Sequence, residues 1–337
     1  MTPPGTLSPV LLSGFADEAA NEKLAVQQFA ALAAIGLSYY SIRFVDVGGG
    51  IKNVMALTDA EIETLRKMHA DYGLSVSSIG SPIGKVKLRD VDDGTANRYV
   101  PFPEYLAGEV QTACDRAEAF GAKLIRGFSF YHPKGTAPDD HLDQVGEQLG
   151  QIAQACDARG LTFGLEVEAN LVGQTGDLLA ALAERVGHPA MVTIFDGANI
   201  AMQGFSPDQV YRQYLAMKPS LGWIHIKDYH DPSITARVEH VDEESASCFV
   251  PADRGDSYHE AILRDLKDAL PEITDRLASR GVPGFFMDLE PHLKGGGQFG
   301  GFSGPDGFGV AARSLCRVLD YVGIPYRLRD FDDVRPA

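Results

Sequence analysis

The stretch LTFGLEVEAN, residues 161–170, decides the fold, because it alternates like a β-strand that carries acids on one face. In a strand, successive side chains point to opposite sides. Phe163 and Leu165 therefore share one face, and Glu166 and Glu168 share the other. Burying carboxylates costs free energy unless a cation meets them. The stretch predicts a buried strand that brings acidic groups to a polar site.

Similar β-forming runs recur along the chain, separated by amphipathic stretches of helical length. Including the first stretch, they cover residues 10–18, 37–44, 74–84, 122–130, 161–168, 191–196, 222–228 and 283–290. Several runs follow a glycine that is typical of a helix end, as at Gly36, Gly73 and Gly121. One helical stretch begins with Thr58 and has Glu61 three residues later, which is a capping-box pattern.

This alternation predicts the fold class. Strand followed by helix implies parallel strands joined by right-handed crossovers, and eight such units favour a closed barrel over an open sheet. We therefore predict an α/β fold, a (β/α)8 TIM barrel, as a single domain over residues 1–337 with its core at about 10–325. The largest insertion, 229–282, falls between strands seven and eight and is expected to lead into a helix capped by Asp256 or Ser257.

A glycine-dense stretch, 294–304, follows the last strand. A dinucleotide-binding fold requires G-x-G-x-x-G after an early strand, so the position of this stretch argues against that fold. Two readings stay open for it. It could cradle a phosphate, since barrels often bind phosphate after strands seven and eight, or it could act as a lid in which Phe299 and Phe302 cover the substrate.

The charge excludes several classes of partner. Lys and Arg number 30 against 46 Asp and Glu, and the net charge is −16. Nucleic-acid binders need a basic surface to displace counterions, so we expect no nucleic acid and no membrane partner, and a small molecule instead. No apolar run approaches the roughly 18 residues of a spanning helix, and the first residues lack a signal-peptide pattern. The four cysteines lack metal or disulfide spacing, so we expect a cytoplasmic protein.

Barrel enzymes carry their chemistry at the carboxyl ends of the strands. The last four runs end in metal-ligand types: Glu166, Asp196, His225 and Glu290. Each residue taken alone also has an explanation without a metal, since an acid at a strand end can cap a helix or pair with an arginine. The presence of such residues on four adjacent strands nevertheless favours a shared cation. Carboxylates plus one imidazole, without thiolate, suit Mn²⁺ best, with Mg²⁺ or Co²⁺ as alternatives. The sequence predicts one divalent ion.

Other polar residues near the strand ends are candidates for binding the substrate. Glu168 lies one layer above Glu166, and Arg126 ends strand four. Lys85 and Lys227 could bind a substrate oxygen or pair with an acid. His292 shares the inward face of Glu290, and either His292 or His230 could protonate a leaving group. Asp17 and Glu18 end strand one and are expected to have a structural role.

With these motifs the sequence resembles the xylose isomerase-like barrel superfamily, in particular its sugar phosphate isomerase/epimerase branch. The resemblance rests on segments such as GFADE, EVEANLVGQTGD, FDGANI, HIKD and EPHLKGGGQFGGFSG. It implies that Glu166, Asp196, His225 and Glu290 hold the metal and that the two glutamates act as acid and base. Where many epimerases of this fold have a substrate-contacting His and Arg, this chain has Asn199 and Asp231.

The resemblance implies an enzyme that enolises a keto sugar or a 3-oxo-glycoside by removing the proton next to the carbonyl, as a sugar isomerase or epimerase. The alternative is a lyase subunit of the C-glycoside deglycosidase type, which cleaves by elimination and pairs with a smaller second subunit. A non-catalytic sugar-binding barrel is a weaker alternative, and an endonuclease IV-like protein weaker still. A homo-oligomer, or a hetero-oligomer with a small subunit, is expected.

Overall fold

Eight short strands form one parallel sheet in the computed structural model, which describes residues 7–234, 236–238, 240–241, 247–296 and 300–334. They are β1 (Leu11–Gly14), β2 (Tyr39–Ile42), β3 (Ser75–Ile83), β4 (Leu124–Gly127), β5 (Thr162–Glu166), β6 (Met191–Asp196), β7 (Leu221–Ile226) and β8 (Phe286–Leu289). Each pairs with the strand next in sequence, except that β1 pairs with β8. A parallel bridge from Phe15 to Ser41 joins the ends of β1 and β2 and closes the sheet. The fold is therefore an α/β TIM barrel in a single domain, as predicted, while the limits of its core stay a prediction.

Helices cover the outside of the barrel. They span Ala25–Ala34, Asp59–Tyr72, Phe102–Tyr105, Gln111–Phe120, Leu142–Asp157, Gly176–Val186, Gly197–Ala201, Pro207–Met217, His259–Ala278, Gly304–Val322 and Phe331–Val334, with a π-helical turn at Leu106–Val110. The capping box of Thr58 and Glu61 is present. The predicted helix-end glycines adopt the left-handed conformation, as Gly73 does with φ 62°. No helix in the described part of the chain combines the length and apolar character that a bilayer crossing requires.

The structure differs from the sequence prediction in the connections. Two antiparallel hairpins were not predicted: Phe44–Asp46 pairs with Ile51–Asn53, and Asp228–Tyr229 pairs with Phe249–Val250. The second hairpin and the helix His259–Ala278 occupy the predicted insertion between β7 and β8.

The predicted cap of the helix in this insertion was wrong. The helix follows Tyr258, which is left-handed and provides no side-chain cap. The backbone N–H of Ser257 instead donates to Asp228 Oδ1 at 2.9 Å, and that of Gly255 donates to Asp228 Oδ2 at 3.0 Å. Asp228 therefore holds the loop against β7, because a carboxylate can accept from several backbone donors at once.

The barrel interior below the strand ends is filled by Trp223, whose ring is fully buried. The ring lies against Gly164, where an ideal Cβ would stand 1.9 Å from Trp223 Cη2. Gly164 shares its strand face with Glu166, so the indole forms the layer beneath that carboxylate. A residue with a side chain at position 164 would displace the ring.

Replacing Gly164 by Ala is therefore expected to lower the free energy of unfolding by about 1–3 kcal/mol, because overpacking shifts the indole and its neighbours. Urea denaturation measures the change. Gly150→Ala is the matched control, since that glycine lies within a helix with open space around its Cβ position. The control should be neutral or stabilising by up to about 1 kcal/mol. Equal denaturation midpoints for the two variants would contradict this account of the interior.

Candidate metal centre

Four neighbouring strands bring their acidic and imidazole side chains to one point. Glu166 and Asp196 are the last residues of β5 and β6, His225 lies near the end of β7, and Glu290 directly follows β8. All four are buried, the most exposed being Glu290 at 3%. Each offers one ligand atom, and these atoms lie within 4.8 Å of one another. The predicted set of four residues therefore converges at the carboxyl end of the barrel.

His225 lies between two of the acids. Its Nδ1 is 2.9 Å from Glu166 Oε1 and 3.6 Å from Glu290 Oε2. Asp196 serves two purposes. Its Oδ1 accepts the backbone N–H of Asn199 at 3.1 Å and caps the helix Gly197–Ala201. The cap uses only Oδ1, so the capping role that the sequence offered as an alternative leaves Oδ2 as a candidate ligand atom.

The residues present fit a divalent cation. Asp196 Oδ2 is buried without a hydrogen bond to any described residue, although Lys227 Nζ lies 3.0 Å away. The three carboxylates are hard donors and the imidazole is a donor of intermediate hardness, a combination that divalent metal ions accept. Donors about 2.0–2.2 Å from one ion lie roughly 3 Å apart, which is close to the separation of His225 and Glu166. The buried cluster is a candidate site for one divalent metal.

Burial and charge shift the pKa values of these groups in opposite senses. Burial of the His225 ring lowers its pKa, but the carboxylates of Glu166 and Glu290 outweigh that effect and raise the pKa to about 10. Burial raises the pKa of Asp196 to about 6, against the opposing effect of Lys227. A divalent cation at the cluster competes with the proton of His225, because a ligating imidazole must be neutral.

Three cations surround the two glutamates. Arg126 NH1 lies 3.4 Å from Glu166 Oε2 and 3.5 Å from Glu290 Oε1, so this arginine, at the end of β4, pairs with two carboxylates of the cluster. Lys227 Nζ lies 3.3 Å from Glu290 Oε2. Arg43 NH1 donates to Glu290 Oε1 at 2.6 Å. Sequence reasoning missed Arg43, although it directly follows β2 and thus reaches the same end of the barrel.

The sequence analysis also missed Asp288, which is fully buried. Alternation along β8 places it on the face of Glu290, one layer deeper, and this signal was available in the sequence FFMDLE. Its Oδ2 accepts a hydrogen bond from Ser41 Oγ at 2.8 Å. Burial raises the pKa of Asp288. Asp288 therefore belongs to a buried polar layer beneath the candidate metal ligands.

A second group of potential ligands lies beside the first among the described residues. Glu18, Glu290 and His292 place donor atoms within 4.8 Å of one another. The Arg43 guanidinium already lies between the two acids, with NH2 3.4 Å from Glu18 Oε1 and NH1 2.6 Å from Glu290 Oε1. A cation there would have to displace the guanidinium. The two groups share Glu290, and the first offers four ligand residues against three, so the first group is the better candidate for one divalent ion.

A cavity of about 740 Å³ reaches the cluster at Glu290, which lines it, whereas Glu166, Asp196 and His225 do not. Its walls include six of the residues predicted to contact substrate: Lys85, Arg126, Glu168, Asn199, Lys227 and His292. His230, the other predicted acid for a leaving group, does not line it and lies 3.0 Å from Asp256 instead. Lys85 Nζ lies 3.5 Å from Glu168 Oε2, and Asn199 Nδ2 donates to the same oxygen at 3.5 Å. The two lysines therefore have acidic partners and also border the cavity. Phe299, one of the two aromatic residues predicted to cover a sugar, lies outside the described residues.

Solved structures similar to this chain share its fold at low identity. A xylose isomerase-like TIM barrel protein from Mycobacterium smegmatis in complex with magnesium is 20% identical, with a TM-score of 0.59 over 93% of this chain and 96% of that chain. The probable 3-DHS dehydratase AsbF from Bacillus anthracis is 14% identical, with a TM-score of 0.60 over 91% and 99%. D-psicose 3-epimerase from Clostridium cellulolyticum H10, solved with D-tagatose, is 14% identical, with a TM-score of 0.57 over 94% and 100%.

At such identities these likenesses show the fold alone. No curated protein matches the chain. The model of one family, described as xylose isomerase-like TIM barrel, matches residues 29–295. Since this match covers well over half of the chain, the protein belongs to the xylose isomerase-like TIM barrel family.

Proposed function

We propose that this protein is a divalent-metal-dependent enzyme that removes the proton next to the carbonyl of a keto sugar or 3-oxo-glycoside, acting as a sugar isomerase or epimerase of the sugar phosphate isomerase/epimerase branch. One observation carries the proposal. Two buried carboxylates, Glu166 and Glu290, meet one imidazole and a third acid, and Glu290 lines a cavity whose walls are rich in hydrogen-bonding groups. Such a site combines proton acceptors with positive charge beside a bound sugar.

A divalent cation held by Glu166, Asp196, His225 and Glu290 would supply Lewis-acid stabilisation of a developing oxyanion, and Mn²⁺ suits these ligands best. The chain itself supplies the other elements. Glu166 and Glu290 come from β5 and β8, so they can reach a substrate from different sides, one as proton acceptor and the other as donor. Return of the proton to the opposite face gives epimerisation, and return to the adjacent carbon gives isomerisation.

The side chains around the carboxylates position and stabilise the sugar. Arg126 and Lys227 place fixed positive charge within 3.5 Å of Glu290, where it can stabilise negative charge on the substrate. Higher in the cavity, Lys85, Glu168, Asn199 and His292 offer donors and acceptors for hydroxyl groups.

A second candidate is elimination, as in the C-glycoside deglycosidase lyases. The cavity volume of 740 Å³ favours it, because this value lies in the upper part of the range for ligands of drug size and leaves room for an aglycone beside the sugar. After the α-proton leaves, the electron pair expels the substituent on the next carbon. AsbF, which shares the fold, is named as a probable dehydratase, and dehydration is an elimination, so this likeness supports the second candidate. As a lyase of this type the chain would pair with a small second subunit, whereas as an isomerase or epimerase it could form a homo-oligomer.

Metal dependence of proton exchange tests the proposal. The chain, incubated in D2O with D-fructose, D-psicose, D-tagatose or methyl 3-oxo-glucoside, is expected to exchange the α-proton of at least one of them, as read by proton NMR. EDTA should abolish the exchange and Mn²⁺ should restore it, since the oxyanion then regains its stabilisation. Exchange in none of these sugars, with and without Mn²⁺, would favour a binding protein instead.

The same spectra separate the two candidates. A new sugar epimer without release of a fragment indicates epimerisation. Release of the aglycone from an aryl 3-oxo-C-glucoside, together with an unsaturated sugar, indicates elimination. Because both begin with the same proton abstraction, both require Glu166 and Glu290.

A further inference from the structure

Two carboxylates of the candidate metal centre each have one oxygen that is available to a shared cation and one that is engaged elsewhere. Glu290 Oε2 lies 3.6 Å from His225 Nδ1, whereas Glu290 Oε1 accepts a hydrogen bond from Arg43 at 2.6 Å. Asp196 uses Oδ1 for its helix cap, which leaves Oδ2 as the candidate ligand atom. We call Asp196 Oδ2 and Glu290 Oε2 the inner oxygens. A cation that is shared with His225 would bind at these two atoms.

Lys227 already reaches both inner oxygens. Its Nζ lies 3.0 Å from Asp196 Oδ2 and 3.3 Å from Glu290 Oε2, and the residue is only 4% exposed. The ion pair of Arg126 with Glu290 is instead made to the other oxygen, Oε1, at 3.5 Å. An ammonium group and a divalent ion at the same two oxygens repel each other at short range. The two cations therefore cannot both bind there at full strength.

The ammonium group of Lys227 is held less tightly than its arginine neighbour. Asp196 Oδ2 accepts no hydrogen bond from any described residue, so the approach of Nζ to it is an ion pair of poor direction. The hydrogen bond to Glu290 Oε2 is long, at 3.3 Å. Arg43, by comparison, meets three carboxylates and stacks on an aromatic ring. Since lysine has a flexible four-carbon stem, Lys227 is the cation that can yield its place.

A second position for this ammonium group lies beside the cavity. Lys227 borders the cavity, and so does Phe249. Lys227 Nζ lies 5.5 Å from the centroid of the Phe249 ring, and an aromatic face attracts an ammonium group within about 6 Å. The charge can therefore leave the inner oxygens and remain next to the space in which a ligand would bind.

We propose that Lys227 competes with the divalent cation for Asp196 Oδ2 and Glu290 Oε2, and that its ammonium group turns into the cavity when the cation binds, where it meets an oxygen of the substrate. The competition weakens the binding of the cation, because the contacts of Lys227 must first be broken. The contact with a substrate oxygen rests on the proposed function, whereas the competition for the two oxygens does not.

The cation and the substrate should therefore strengthen each other's binding. Once the cation holds the inner oxygens, the ammonium group of Lys227 is available to a substrate oxygen. A substrate that holds the ammonium group in the cavity leaves the inner oxygens to the cation. Because such coupling is reciprocal, each ligand raises the affinity for the other by the same factor.

Calorimetry of Mn²⁺ binding to the full-length chain tests the competition without turnover. Lys227→Met is expected to bind Mn²⁺ about tenfold to a hundredfold more tightly than wild type, because the ion no longer has to break a charged hydrogen bond. Lys218→Met is the matched control. Lys218 precedes the same strand, β7, and pairs with Asp265 at 2.6 Å, so its loss should change the affinity by less than about twofold. Unchanged or weaker binding by Lys227→Met would overturn the proposal.

Arg126→Met separates direct competition from the general effect of a nearby charge. This variant also removes a positive charge from Glu290, but from the oxygen that faces away from Lys227. Its gain in Mn²⁺ affinity is expected to be smaller than that of Lys227→Met by about threefold or more, since the Coulomb energy falls with distance. An equal gain in the two variants would show that Lys227 acts only as a nearby charge.

Crystals of the wild-type chain with Mn²⁺ locate the ammonium group without any substitution, so they decide the question even if Lys227→Met does not fold. The anomalous signal of Mn²⁺ is expected next to Asp196 Oδ2 and Glu290 Oε2, with Lys227 Nζ beyond hydrogen-bond distance of both and directed into the cavity. An ammonium group that keeps both contacts beside the ion would exclude the exchange, as would Mn²⁺ that binds to neither oxygen.

The sugar that shows proton exchange tests the coupling. In its presence the wild-type chain is expected to bind Mn²⁺ more tightly by about fivefold or more, within the usual range of coupling between sites. Lys227→Met should show no such gain, and an equal gain in both proteins would exclude Lys227 from the coupling. If no sugar exchanges its proton, the proposed function fails, while calorimetry without sugar and the crystals still decide the competition.

Discussion

Glu290→Gln is expected to lower the rate of α-proton exchange by a factor of about 10³–10⁴, the upper part of the range for loss of a general base. The Glu290 carboxylate is the most heavily engaged acid of the site. Arg43 donates to it at 2.6 Å, Lys227 lies 3.3 Å away, and His225 Nδ1 lies 3.6 Å away. A neutral amide cannot accept the proton, and it weakens the cluster as a ligand set for a cation.

Glu168→Gln is the matched control, since Glu168 is a glutamate of the same cavity that belongs to neither group of potential ligands. Its replacement is expected to reduce exchange by about tenfold or less, in line with the loss of one hydrogen bond. Bound Mn²⁺, measured by calorimetry in both variants, separates weak metal binding from loss of the base. Exchange by Glu290→Gln within tenfold of wild type would show that Glu290 is not the proton acceptor.

Arg43→Leu is expected to lower the free energy of unfolding by about 3–5 kcal/mol, the cost of removing one partner from a buried charge network. The guanidinium lies 3.2 Å from Asp17 and 3.4 Å from Glu18, in addition to Glu290. It also stacks over Phe15 at 4.4 Å. These acids outweigh the burial of Arg43 and raise its pKa, so the group stays charged in the interior.

Urea denaturation followed by the fluorescence of Trp223, the single tryptophan of the chain, measures this loss. Arg43→Lys should cost less than Leu, because it keeps the charge but not the forked geometry. Arg66→Leu is the surface control. Arg66 is 59% exposed and 3.8 Å from Glu63, so its loss should fall within about 0.5 kcal/mol. If Arg43→Leu had the same unfolding midpoint as the wild type, the guanidinium would not be needed to stabilise the buried carboxylates of Asp17, Glu18 and Glu290.

Local sequence patterns predicted those residues of the site whose position depends on a single strand. Alternation along residues 161–168 places Glu166 inward, and the runs that end in Asp196, His225 and Glu290 reach the same edge because parallel strands share a direction. The capping box at Thr58 was equally readable, since its two partners are three residues apart. Asp288 could have been found by the same alternation.

By itself, the sequence of this protein determined the barrel, the residues at the carboxyl ends of its strands and the family, because strand alternation, helix caps and strand ends are encoded over a few neighbouring residues. Only the tertiary structure decided which charges and rings meet. Arg43 and Glu290 are 247 residues apart, and the backbone N–H of His292 meets Glu18 across 274 residues. Such contacts form only when the barrel closes, with β8 against β1 and β1 against β2. A local sequence pattern contains no information about which distant residue will then become a neighbour.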